Sequence, residues 1–170
     1  MALSRRASEA AQTPATVWPG YVACALGLLY AAISAYWALG GDAGLATVGG
    51  AIEDLARART PLALAVAWGA ALLKGVAALL ALPLVRPWGR RLPRRLLLLA
   101  CWGASGVLIL YGGSFVTVGA LVLAGIVPGA PPEQQFALRW HVALWDLWFL
   151  LWGLALAAAI WLFVRRPAAR

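Results

Sequence analysis

The sequence predicts an all-α, integral membrane four-helix bundle with both termini in the cytoplasm, and three observations carry that prediction. Hydrophobic residues make up 64% of the 170 positions and charged residues 12%, with a mean hydropathy of +0.83, where soluble chains carry about a quarter charged residues. Four apolar runs each approach or exceed the ~20 residues that cross ~30 Å of hydrocarbon. The basic residues gather on one side of those runs.

The elements follow in order. Residues 1–16 form a tail with Arg5 and Arg6, and the first helix covers residues 17–39. Mostly small or polar residues separate the arginines from that run, and Ala23-Cys24-Ala25 lies inside it, so the run stays as a helix rather than leaving as a signal peptide. The loop from Gly40 to Thr60 is a glycine-rich turn followed by AIEDLARAR, where Glu53 and Arg57 are spaced to pair on a short surface helix.

The second helix covers 61–85 and contains Lys74, and a loop with five arginines leads to a third helix over 96–127. That third run exceeds one crossing, and Tyr111-Gly112-Gly113-Ser114 near its middle allows either a kink or a close helix contact. Gly103 and Gly106 offer a second small-residue surface. The proline-rich PGAPPEQQ caps the fourth helix, over 140–164, and residues 165–170 form a basic tail.

Assigned by loop, ten basic residues fall on the side of the termini and three (Arg57, Arg59, Arg139) on the other. The positive-inside rule places the termini in the cytoplasm and the protein in the cell membrane as a multi-pass chain. The same bias argues against dual-topology insertion. It also accounts for the formal charge of +8 without a nucleic-acid partner, since no soluble basic domain exists to hold one. Transmembrane β-strands are excluded, because the runs lack ~10-residue alternation.

Several chemistries have no support. Cys24 and Cys101 sit in apolar runs without metal-ligand spacing, and a lone histidine makes neither a bis-histidine haem site nor a metal centre. There is no phosphate loop and no G-x-S-x-G. No cofactor or metal is expected, and nothing positive marks an enzyme.

Intramembrane ionisable residues mark candidate sites, because they cost about 2.5 to 3.5 kcal/mol at mid-helix. Asp146 lies about 10 Å below the outer boundary, and Lys74, nearer the midplane, is about 9 Å lower. Snorkelling upward could bring Lys74 to Asp146. Such a pair would be either functional or a device that fixes helix register, and Lys74 could instead reach a headgroup alone. His141 shares the i, i+4, i+7, i+11 face of Trp145, Trp148 and Trp152, whereas Asp146, five residues on, falls some 140° round an α-helix. A direct His141 to Asp146 pair is therefore not expected.

Trp18, Trp37, Trp140 and Trp145 fit an interfacial aromatic belt. Trp148 and Trp152 lie deeper, where they either pack the core or line an outer-half pocket with Ser34, Tyr36, Trp37, Tyr30, Tyr111, Ser114 and Trp145.

AISAYWALGG, ending the first helix, and HVALWDLWFLLWG, opening the fourth, together resemble a family of uncharacterised four-helix membrane proteins of bacteria, mainly actinobacteria, grouped as a domain of unknown function. The likeness runs from about Tyr21 to Phe163. In that family pattern a histidine often stands near Ser34 and W-D-P replaces Trp145-Asp146-Leu147, while Tyr36, Trp37, His141, Trp145 and Asp146 match. The resemblance implies an outer-facing cluster and supplies no activity.

The sequence thus points first to a protein that binds a small lipophilic ligand, a lipid or a partner helix. The alternatives are a membrane enzyme or redox partner using Asp146 and His141 on a quinone-like or lipid substrate, and a small transporter subunit in which Lys74 and Asp146 exchange partners. Oligomeric state is left open.

Overall fold

The structure is a computed structural model that describes residues 14–129 and 131–165, with the backbone alone at 14–16 and 133. Residues 1–13 and 166–170, with Arg5, Arg6, Arg166, Arg170 and most of both expected tails, lie outside the described residues. Four spans are long and apolar enough to cross a membrane: Val17–Ala38, Pro61–Val85, Arg94–Leu123 and Gln135–Arg165. No strand occurs among the described residues.

Helix α1 (Pro14–Ala38) ends where Gly40 adopts φ 105°, a left-handed conformation that suits glycine. The Gly40 N–H donates to the Trp37 carbonyl at 3.0 Å and the Gly41 N–H to the Tyr36 carbonyl at 2.9 Å, which closes the helix end. Two short helices follow, α2 (Leu45–Val48) and α3 (Gly50–Ala58). On α3 the Arg57 Nε donates to Glu53 Oε1 at 2.8 Å, the pair anticipated from its spacing. Helix α4 (Pro61–Leu79) starts with Thr60 accepting from the Ala63 N–H at 3.2 Å and Pro61 in its first turn.

A short α5 (Leu82–Val85) and a 3-10 turn (Pro87–Arg91) lead to α6 (Arg94–Leu123). Helix α6 passes unbroken through Gly112-Gly113 and stops four residues before position 127, ahead of Gly125 at φ 72°. The fourth span begins at Gln135, earlier than expected, after a 3-10 turn at Pro132–Gln134. It consists of α7 (Gln135–Trp140), a π turn (His141–Trp145) and α8 (Asp146–Arg165).

The helices stand in the order α4, α1, α8, α6, with α1 against both α4 and α8, and α8 against both α1 and α6. Toward the end carrying the termini, one core draws on all four spans, with Ala23, Ala78, Leu97, Trp152 and Leu156 among its members. There the Cys101 thiol donates to the Leu80 carbonyl at 3.4 Å and the Ser105 hydroxyl to the Gly153 carbonyl at 3.0 Å. The opposite half has a smaller core of Tyr30, Val48 and Trp145, drawn from α1, α2 and the π turn. Neither α4 nor α6 contributes to that upper core.

Lipid supplies little hydrophobic drive between helices, so close packing and interhelical hydrogen bonds hold them. Gly112 is buried where α6 crosses the fourth span, and a methyl group there would lie 2.5 Å from the Leu150 nitrogen and 2.6 Å from the Asp146 carbonyl oxygen. The paired glycines serve a close contact rather than a kink. Gly103 and Gly106 have open space beside them and form no such contact.

Candidate functional site

The π turn decides the site. Five residues carry an α-helix about 140° past a full turn, but the wider i→i+5 turn brings positions five apart nearly into line. His141 Nδ1 and Asp146 Oδ2 therefore meet at 3.1 Å. This corrects the expectation that the two residues point apart, which assumed regular α-helix throughout.

His141 Nε2 lies 2.9 Å from the Val48 carbonyl oxygen. A carbonyl only accepts, so Nε2 carries a hydrogen, and the contact with the carboxylate needs a second proton between Nδ1 and Oδ2. The pair is neutral overall, and the imidazole has no lone pair available for general-base work. Asp146 is buried at 3% exposure, as an unpaired charge at that depth could not be.

One turn on from His141, the Trp145 Nε1–H donates to Thr47 Oγ1 at 3.1 Å, and the Thr47 hydroxyl donates to the Gly44 carbonyl. The Trp37 Nε1–H donates to the Ala43 carbonyl at 3.0 Å. His141, Trp145 and Trp37 thereby clamp α2 over the end of the bundle. Tyr36 takes part too, since its hydroxyl accepts from the Ala43 N–H at 3.4 Å.

Lys74 does not meet Asp146. Its ammonium donates to the Ser34 hydroxyl at 2.7 Å and sits 4.1 Å from the centre of the Tyr30 ring. The upward reach from α4 is as expected, but His141 has already taken the carboxylate, and Tyr30 and Ser34 receive the cation. No carboxylate lies within ion-pair distance of Lys74 among the described residues.

Aromatic rings continue from Tyr30. Phe149 is 4.7 Å from it, Tyr111 is 5.2 Å from Phe149, and Phe115 is 4.7 Å from Tyr111. Lys74 Nζ stands 5.9 Å from the Phe149 ring. This row runs from α1 through α8 to α6.

The structure divides the residues proposed as pocket lining. Ser34 accepts from Lys74 and Tyr111 belongs to the row of rings, whereas Tyr36 and Trp37 hold the loop. Trp145 is buried between Tyr30 and Trp37, so it belongs to the core rather than to an interfacial belt. Trp148 donates its Nε1–H to the Leu26 carbonyl at 3.1 Å and packs against Tyr30. Three residues that matter here were not singled out from the sequence: Val48, Thr47 and Phe149. A backbone acceptor leaves no sequence signal, but Phe149 follows Trp145 by four residues and shares its helix face. Trp152 is fully buried, and its indole N–H has no acceptor among the described residues.

No group of three or more metal-ligating side chains occurs among the described residues. No curated protein and no solved structure matches the chain. A match to a family model covers residues 27–156, from the lower part of α1 to the middle of α8, and so includes His141, Asp146, Lys74 and the whole aromatic row. The chain belongs to that family, described as "Protein of unknown function (DUF3995)".

Proposed function

We propose that this membrane protein binds a lipophilic monoanion, a carboxylate with an apolar tail, beside Lys74 and along the row of rings from Tyr30 to Phe115. One observation carries the reading: Lys74 is a cation within a membrane-spanning helix, served by a hydroxyl and a ring but by no carboxylate among the described residues. Ser34 accepts from one of the ammonium's three N–H donors, and the remainder can face a ligand. An intramembrane cation without a counter-ion lowers stability, which favours a role in binding.

Depth selects the head group. Lys74 is near the level of Tyr30, eight residues and about 12 Å from the end of α1. A carboxylic acid can enter neutral and ionise beside the ammonium, at far lower cost than burying a phosphate. The tail lies over Phe149, Tyr111 and Phe115, of which Tyr111 and Phe115 are exposed. The basic-residue bias supports placement in the bacterial cytoplasmic membrane, with the row of rings in the outer half.

Oleate binding to the purified protein, followed by native mass spectrometry, tests the proposal. Wild type retains oleate and not methyl oleate, and Lys74→Met loses at least tenfold in affinity, corresponding to the ~1.4 kcal/mol of one charge-assisted contact. Unchanged oleate retention by Lys74→Met would sink it.

A further inference from the structure

A second site stands at the end that carries the termini. A groove of about 430 Å³ lies between α1, α6 and α8, walled by Trp18, Trp102 and Trp161 and floored by Pro19, Ala157 and Ala158. All three tryptophans are about half exposed, so the groove faces lipid. Its size falls within the ~300–1,000 Å³ of ordinary ligand sites.

The groove has a charged rim. Ala157, Trp161 and Arg165 follow one another at four-residue steps on α8, and the Arg165 guanidinium lies 4.0 Å from the centre of the Trp161 ring. A guanidinium held over an indole ring keeps its N–H donors free for a phosphate. Arg95 stands seven residues before Trp102, on the same face of α6. The described acidic residues, Asp42, Glu53, Asp54, Glu133 and Asp146, all belong to the other half of the molecule. Nothing acidic among the described residues competes for Arg165.

We infer that this groove binds one anionic glycerophospholipid, with the phosphate on Arg165 and an acyl chain between the tryptophans. Indole rings suit the boundary between head group and chain, and basic pockets between membrane helices hold anionic head groups. The site shares no residue with the one proposed at Lys74.

The full chain, purified in detergent and offered equal amounts of dioleoyl-phosphatidylglycerol and dioleoyl-phosphatidylcholine, tests the inference by native mass spectrometry. Wild type retains the anionic phosphatidylglycerol preferentially. Arg165→Gln reduces that preference about fivefold, as expected for one basic residue at a membrane surface. Trp161→Ala, judged folded by its circular dichroism, lowers retention of both lipids, whereas Lys74→Met leaves the preference intact. Equal retention of the two lipids by wild type would overturn the site, as would an Arg165→Gln protein that behaves like wild type. An equal loss on Arg90→Gln would trace the preference to diffuse charge and overturn it as well.

Discussion

At the scale of single residues, the two buried charges have opposite relations to stability. Asp146 and His141 satisfy one another and hold the Val48 carbonyl, so removing either leaves a buried polar group unmet. Asp146→Ala and His141→Ala should each cost about 1–3 kcal/mol, read as thermal unfolding in detergent. The double variant should cost clearly less than the two together, because both changes break one pair. Additive losses would show that the contact contributes little. Lys74 is different, since no anion among the described residues offsets the desolvation of its charge. Lys74→Met should raise the melting temperature, and a fall would make Lys74 a register device rather than a ligand group.

At the scale of elements, the crossing of α6 on the fourth span turns on one hydrogen atom. Gly112→Ala places a methyl group against backbone that cannot move aside. Gly113→Ala meets only the Leu150 side chain, at 3.8 Å. The first should cost several times more in thermal stability than the second, with overpacking typically about 1–3 kcal/mol. Comparable melting temperatures would mean that the crossing is loose. The spans themselves were legible in the sequence, because apolar length is a one-dimensional property. The small-residue contact at Gly112 was legible as one of two options. The His141 to Asp146 pair was not, because a π turn changes helical phase without altering hydrophobic pattern, and an α-helical count misassigns every residue across it. The acceptor at Val48, nearly a hundred positions away, depends on how the α2 loop folds back, which Gly40 and Trp37 determine only in three dimensions.

At the scale of the whole molecule, the half near the termini is held by all four spans and the other half by fewer. Amide exchange in detergent should be slowest around Leu97, Trp152 and Leu156 and faster in α2, α3 and the adjoining ends of α4 and α6. Uniform exchange along α4 would contradict that division. We propose, from the arginine bias, that the side of the molecule bearing Pro14 and Arg165 faces the cytoplasm. A fluorescent reporter at the C-terminus should glow and a periplasmic phosphatase reporter inserted at Gly129 should be active, whereas the reverse result would invert the orientation. The order α4, α1, α8, α6 has a further consequence. Neighbours in sequence form two hairpins, α1 with α4 and α8 with α6, and their main seam is the face of α1 against α8. That seam contains Tyr30, Trp145, Trp148 and Phe149. A chain severed between Arg90 and Arg91 and produced as two co-expressed pieces should therefore reassemble in the membrane, and neither piece alone would possess the seam.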